Sequence, residues 1–513
     1  MLEAEEIDPR DRLRLSAEGV TPRPLHQRRR ALGLSEQRVP DSLQRRAAFA
    51  RARELLPALA AMLAGLIVSG PGQALLLGAM VGLVAAPLRR FPMPLHLMPT
   101  SRMLLALIPP AIGCGIFVLA DGVGPRSFAI GSGDALAVGL FAAAVALAVE
   151  AGYPPWMRRR PVRVATLGAP EFALALEREL REARIRETEL VGWIDVTVAE
   201  HLRDVVREHR IDLIVRVPPP PGVRPKAPEG AGELEDLLDL PVRTIGADQL
   251  YEDLFGHVPL GVIDSHWFFY LMHPQFNSTR PISDRIIELI EAVPLVVLLS
   301  PLLAIAATAV KLSDGGPVIY RQKRVGEGGR EFDVLKLRTM SVSSEADGAQ
   351  WSQAGDPRVT AVGRVLRRLH IDELPQLFNV IRGDMTFVGP RPERPEMVAS
   401  LEGMLPNYRR RHLIKPGVTG WAQVRCGYAG STLGTAWKLS HDLYYLKRRS
   451  RLVNLTIVVE TLVIAGLDSH RPLRTPASQF LFGQDLGMDL SEDAEGPLPP
   501  ELQGRVPAGS VAT

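Results

Sequence analysis

Residues 285–312, RIIELIEAVPLVVLLSPLLAIAATAVKL, are apolar enough and long enough to lie in a bilayer, yet two prolines interrupt them. A hydrocarbon core of about 30 Å takes about 20 helical residues. Pro294 and Pro301 each remove a backbone donor and bend a helix. Ser300 and Pro301 form a pair in mid-segment, as in a helix that enters, breaks and returns. Both flanks are basic: Arg280 and Arg285 before, Lys311, Arg321, Lys323 and Arg324 after. The sequence thus predicts a re-entrant hairpin over 285–312, with a full crossing as the alternative.

What precedes this segment gives its topology. Four apolar stretches lie at roughly 54–70, 72–88, 103–120 and 134–152. Arg45, Arg46, Arg51 and Arg53 precede the first; Arg89, Arg90 and Arg102 separate the second and third; Arg158, Arg159 and Arg160 follow the fourth. The two other connections hold one arginine between them, a positive-inside pattern with both bundle ends in the cytoplasm. The alternative is buried core helices of a soluble protein. After four crossings the chain is inside, and a complete fifth would put everything beyond 312 outside. Residues 1–50 carry Arg, Glu and Pro with little periodicity and read as a disordered cytoplasmic arm, without a cleavable signal peptide.

A net charge of +3 does not mark a nucleic-acid binder, and the arginines cluster beside apolar runs instead. Cys114 and Cys426 are far apart and give neither metal spacing nor a disulfide framework. Residues 160–275 alternate strand and helix patterns: VRVATLG, PEFALALERELREAR, ELVGWID, VAEHLRDVVREHR, IDLIVRV. That pattern predicts a small parallel sheet. Its first turn reads LGAPEFA where a dinucleotide site wants G-x-G-x-x-G, and Pro170 and Phe172 stand where backbone would approach a pyrophosphate. A degenerate Rossmann-like module with a structural or regulatory role is expected. The fold class is therefore a membrane α/β protein: a helix bundle at 51–155, this module, and a mostly α unit at 280–468. A tail at 469–513 reads as disordered.

Chemistry-bearing residues gather in the last unit. In GPVIYRQKRVGEGGREFDVLKLRTM two strands flank a glycine turn, and Lys336 and Arg338 sit two apart, on one strand face. Paired cations suit a diphosphate; a solvated strand face is equally consistent. VGRVLRRLH is an amphipathic helix with a basic side. In RRLHIDELPQLFNVIRGDMTFVGPRPERPE, Asp372 is a plausible helix N-cap, and a helix N-terminus would keep a carboxylate ionised beside a phosphate. Adjacent carboxylates diverge by about 100° on a helix. Asp372 and Glu373 thus look unlike a glycosidase pair; one can attack phosphorus while the other binds a metal. GPRP holds Arg391 on a stiff backbone, and IKPGVTGWAQV adds Trp421 and Gln423.

From Ser300–Pro301 through YRQKRVG, KLRTM, DPRVTAVGRVLRRLHIDELPQLFNVIRGDMTFVGPRP and KPGVTGWAQV to DLYYLKRRSRLVNLTIVVETL, the chain resembles the bacterial sugar transferases. These are the monotopic polyprenyl-phosphate glycosyl-1-phosphate phosphotransferases; the upstream bundle and module resemble their large members. The resemblance implies transfer of a sugar-1-phosphate from a UDP-sugar to a polyprenyl phosphate, such as undecaprenyl phosphate, in exopolysaccharide, capsule or O-antigen initiation. Asp372 would be the nucleophile and Glu373 the Mg²⁺ ligand. Arg324, Lys336, Arg338, Arg391 and Gln423 would bind substrate, with Asp442 as an acidic position near the site. It implies a multi-pass protein of the bacterial inner membrane with its catalytic unit in the cytoplasm, and homodimers in some large members. Thr339 stands where the family often has Ser, and RCGYAGSTLGTAWKLSHD replaces a glycine-rich stretch, which leaves the sugar open. Two other classes remain: a membrane-anchored nucleotide-sugar dehydratase or epimerase, lacking here its Tyr-x-x-x-Lys pair, and a non-catalytic scaffold of polysaccharide assembly.

Overall fold

The computed structural model describes residues 14–15, 41–68, 71–90, 99–121, 132–158, 161–168, 170–194, 202–217, 242–263, 267–268, 281–341, 356, 358–426 and 432–467. The proline-rich loop (218–233), the stretch 427–431 and the expected tail at 469–513 lie outside them. The chain divides into two units, one built on Met1–Val262 and one on Ile263–Thr475.

In the first unit the four apolar stretches are helices α1 (Asp41–Val68), α2 (Pro71–Arg90), α3 (Pro99–Asp121) and α4 (Ser132–Arg158). Each packs on the next, and α4 returns to α1. Small residues build the contact, with Ala60, Ala61, Ala135 and Ala142 around Leu77, Val81, Cys114 and Val138. The larger apolar side chains Leu63, Ile67, Leu75, Leu83, Leu136 and Leu140 point outward. A bundle in water buries its large residues; small residues inside and large ones outside suit a hydrocarbon surround. A Cβ at Gly113 would lie 2.8 Å from Val81 Cγ2, so α2 and α3 approach this closely only with glycine there. Residues 134–152 are long and apolar enough to cross a membrane, with mean hydropathy 2.0 over their most apolar 18 residues; the apolar runs 75–85 and 102–115 are shorter. Buried Glu150 joins α4 to Arg53 of α1 at 2.5 Å and to Arg102 of α3 at 3.2 Å.

The same unit holds the parallel sheet. Strands β1 (Arg14–Leu15), β2 (Val162–Leu167), β3 (Thr188–Ile194), β4 (Leu213–Arg216) and β5 (Arg243–Gly246) run in the order β1-β3-β2-β4-β5, all parallel. Helices α5 (Pro170–Glu182), α6 (Leu202–Glu208) and α7 (Ala247–Leu254) complete it. Phe172 is buried and packs 5.7 Å from the Tyr251 ring, so it fills core at the turn where a pyrophosphate would need open backbone. Two parts of the expected disordered arm are ordered. Arg14 and Leu15 pair with Trp193 and Ile194 on the open β3 edge, and α1 starts at Asp41 because its Ala- and Arg-rich lead has high helix propensity. The rest of the arm lies outside the described residues.

The second unit opens with Trp267 and Phe268 under Lys447 and Arg410, at 5.3 and 5.2 Å from the ring centroids. This places the division earlier in the chain than the expected boundary near 275. Helix α8 (Pro281–Asp314) then runs through both prolines without a loop, in contrast to the expected break. Pro301 cannot donate to the carbonyl of Val297, and Ser300 Oγ donates to that same oxygen at 2.8 Å. The Ser–Pro pair thus carries its own repair, which lets helix continue. The most apolar 18-residue window within residues 282–314 has mean hydropathy 2.4 and only 11 % of it is buried, far too exposed for the core helix of a soluble protein.

Strands β6 (Ile319–Val325) and β7 (Glu331–Leu337) form the expected antiparallel hairpin, Tyr320 opposite Lys336. Helix α9 (Ala361–Arg368) is capped by Thr360, whose hydroxyl accepts from Gly363 N at 2.9 Å. There follow α10 (Gln376–Arg382), β8 (Thr386–Val388), α11 (Pro395–Met404), β9 (Gly417–Thr419), α12 (Trp421–Cys426), α13 (Thr432–Arg448) and α14 (Arg451–Leu467). Both halves of α8 seat on this unit. Ala292 packs with Val334, Val380 and Met385, while Ala306 and Val310 pack with Leu337 and Leu366.

Candidate active site

Asp372 and Glu373 close a single 3₁₀ turn, Ile371–Glu373, after His370 in the left-handed region at φ 55° and ψ 19°. A non-glycine residue held there stores roughly 1–3 kcal/mol of strain. The kink turns the chain out of α9 and lays the turn against β7. Helix α10 begins only at Gln376, with Pro375 at the cap position and no side-chain cap. The N-cap role open to Asp372 is therefore not filled: the 3₁₀ turn separates it from the helix.

The two carboxylates differ in environment. Glu373 Oε1 accepts from Lys336 Nζ at 2.7 Å and from Arg391 Nη2 at 2.9 Å. Burial pushes this carboxyl up, but Arg391 and Lys336 together hold it well below the usual carboxylate range. Its Oε2 takes no partner among the described residues. The Asp372 carboxyl makes no hydrogen bond or ion pair among the described residues. Burial, then the neighbouring Glu373 charge, raise its pKa against the pull of Lys336, Arg367 and His370. The 3₁₀ turn, not the N-terminus of α10, carries this carboxyl.

The second-strand cations part company. Lys336 reaches Glu373, but β7 ends at Leu337 and Arg338 turns to Asp314 at the end of α8. Asn379, fully buried on α10, fixes the strand beside Lys336: its Oδ1 accepts from Leu335 N at 3.0 Å and its Nδ2 donates to Asp333 O at 2.7 Å.

Arg391 is held by backbone. The parallel pair β8–β9 sets the loop: Gly389 N donates to Thr419 O at 2.9 Å and Gly417 N to Pro390 O at 3.0 Å. A Cβ on Gly417 would lie 2.0 Å from Gly389 N, so KPGVTG is the platform on which GPRP rests. Arg324 donates from Nη1 to Pro392 O at 3.0 Å and lies 3.6 Å from Glu393, supporting the loop rather than facing Glu373. The Arg391 side chain is 42 % exposed, so it can hold Glu373 and still offer N–H groups to a ligand. Gln423 on α12 has a buried Oε1 without a hydrogen-bond partner among the described residues. Asp442 on α13 is fully buried and accepts from Arg411 Nε at 2.9 Å. Ser300 and Pro301 stay within α8, apart from the carboxylates.

Sequence reasoning missed Asn379 and Arg411. A polar residue between Phe378 and Val380 in an apolar run was the available signal for the first. Arg411 was hidden in the basic run RRRH, which reads as solvent-facing charge.

Among the described residues no three His, Cys, Asp or Glu side chains gather into a metal site. A hard divalent cation that completes its shell from phosphates and water needs only one or two carboxylates. The unengaged oxygen of Glu373 fits that donor set.

A sequence model described as bacterial sugar transferase matches residues 279–466. The chain is also 36% identical over 186 residues to the exopolysaccharide production protein PSS of Rhizobium leguminosarum bv. phaseoli, across 35% of this chain and 92% of that one. The chain belongs to the bacterial sugar transferase family. It is 46% identical over 243 residues to the UDP-N-acetylgalactosamine-undecaprenyl-phosphate N-acetylgalactosaminephosphotransferase of Aeromonas hydrophila, across 45% of this chain and 55% of that one. It is 33% identical over 334 residues to the undecaprenyl-phosphate glucose phosphotransferase of Komagataeibacter xylinus, across 60% of each. The matches thus span little more than half the length of these two relatives. In this chain the region matched by the family model runs from α8 to α14 and contains every residue of the carboxylate site.

Proposed function

We propose that this sugar transferase moves a sugar-1-phosphate from a UDP-sugar to undecaprenyl phosphate, with Asp372 as nucleophile. An Asp372 oxygen attacks the sugar-bearing phosphorus, the bond to UMP breaks, and a phosphosugar aspartate remains. An oxygen of the lipid phosphate then attacks the same phosphorus and releases the Asp372 carboxylate. One observation carries this reading: Asp372 is unengaged while Glu373, beside it, is fixed by two cations. A nucleophile must be free to form a bond, and a fixed neighbour can organise charge around it. Lys336 and Arg391 offer donors to the diphosphate. A bound Mg²⁺, with Glu373 as its ligand, would neutralise the diphosphate and the leaving UMP. The names of the Aeromonas and Komagataeibacter relatives support the lipid acceptor, and the Aeromonas name the UDP-linked donor.

The proposed setting is the inner membrane, with the catalytic unit in the cytoplasm where nucleotide sugars are made. A re-entrant α8 is part of this proposal. Its support is that Ala292 and Ala306 both seat on one small unit, while Val297 and Leu298 between them are 66 % and 74 % exposed. The outward-facing large apolar residues of α1–α4 support membrane insertion of the first unit.

The test is UMP release by membrane fractions given Mg²⁺, undecaprenyl phosphate and single UDP-sugars. Asp372→Asn is expected to lose at least about a thousandfold in rate. Wild-type rates in that variant would sink the mechanism. Glu373→Gln is expected to demand more Mg²⁺ for half-maximal rate, and an unchanged Mg²⁺ titration would remove the metal assignment alone.

A further inference from the structure

We infer that Arg411 is a positioning residue that sets Arg391 through its backbone, with Asp442 and Tyr408 as its supports. This rests on the transfer reading, since it concerns the arginine that holds Glu373. The Arg411 side chain is 5 % exposed and spends its donors on three elements. Nε and Nη2 meet Asp442 Oδ2 of α13 at 2.9 and 2.8 Å. Nη1 donates to the Tyr408 hydroxyl at 2.8 Å, and Nη2 donates to the carbonyl of Arg391 at 2.9 Å.

The last bond gives the cluster its function. Pro390 and Pro392 flank Arg391 and have fixed φ and no N–H. The segment has few other ways to be anchored. Three successive carbonyls are taken: that of Pro390 by Gly417 N, that of Arg391 by Arg411, and that of Pro392 by Arg324. With the backbone held, the Arg391 side chain starts from a fixed Cα, from which Nη2 reaches Glu373 at 2.9 Å. Asp442 then acts through Arg411 and Arg391, three contacts from Glu373. Burial pushes the Asp442 carboxyl up, and the Arg411 charge offsets this. Lysine cannot copy the arrangement, because one ammonium cannot present donors in a planar fork to three partners.

The test is a double-mutant cycle on the full-length chain in membranes, read as single-turnover UMP release. Arg411→Lys and Arg391→Ala are each expected to slow release about tenfold or more. If Arg411 acts through Arg391, the double variant is no slower than Arg391→Ala alone. Independent multiplication of the two effects, or a wild-type rate in Arg411→Lys, overturns the inference. Asp442→Asn keeps the shape and removes the charge, and serves if Arg411→Lys does not fold. It should show the same non-additivity with Arg391→Ala, and multiplicative losses there overturn the inference equally. Asp372→Asn run alongside separates the two readings. Activity retained in it refutes Asp372 as nucleophile, whereas its loss with an additive cycle refutes only the role of Arg411.

Discussion

Asp372 stands where a carboxylate is disfavoured, half-buried and beside an ionised Glu373. Its pKa is raised on folding, so its contribution to stability is full below the unfolded value, about 3.9, and is lost as pH rises through the folded value. At neutral pH the folded state therefore bears the cost of keeping it charged. Asp372→Asn removes that cost. The variant should melt higher than wild type at pH 7, and the gap should close as pH falls toward about 4. Equal melting temperatures at both pH values would show that the site does not strain its nucleophile. Glu373 has the opposite sign. Its depressed pKa adds stability above the ordinary glutamate value, lost only as pH falls through its lower folded value. Activity should follow Asp372. In single-turnover UMP release, where the lipid phosphate does not enter, the rate should fall on the acid side with an apparent pKa above that of an ordinary aspartate. A limb at or below about 3.9 would contradict the raised value.

At the scale of elements, what could be read from the sequence was what the chain encodes locally. The β6–β7 hairpin follows from its glycine turn, α9 from its apolar stripe, and the four bundle helices from their hydropathy. Lys336, Glu373 and Arg391 come together although they are far apart in sequence, and only the order of motifs signalled that. The turn at Asp372 was misread as a helix start because nothing local announces left-handed backbone at a histidine. Arg338 parts from Lys336 and pairs with Asp314 because strand alternation holds only while the strand continues, and β7 ends one residue earlier. Asn379 shows the remaining gap. It bonds to backbone on β7, and backbone partners leave no trace in side-chain pattern. Asn379→Ala would leave the Leu335 N–H and the Asp333 carbonyl unpaired in the interior. That should destabilise the catalytic unit by about 2–3 kcal/mol, lowering its melting temperature by roughly 5–10 °C. A shift within about 1 °C would mean that water replaces both bonds.

For the molecule as a whole, the decisive length is that of α8. Its 34 residues would extend about 51 Å if straight, well beyond a hydrocarbon core of about 30 Å. A straight crossing would also carry one end away from the unit on which both halves pack. The proposed entry and return would resolve both conflicts, with Pro301, which lacks a donor, as the place for a bend in a helix that is otherwise continuous. The prediction concerns sidedness. Cys114 and Cys426 are buried, and replacing them gives a background for single cysteines at Asp284 and Ser313, near the two ends of α8. In right-side-out cells a membrane-impermeant thiol reagent should label neither, and in inverted vesicles it should label both. Labelling from opposite sides would make α8 a true span. It would also put the Asp372 site outside the cell, away from any cytoplasmic supply of nucleotide sugar, so the topology and the proposed donor stand or fall together. Ser300→Ala sharpens the same point. If the hydroxyl only repairs the helix, the variant keeps its sidedness and loses stability, because the Val297 carbonyl goes unpaired in lipid. If the repair defines the return, a fraction of the chains should expose Ser313 on the far side.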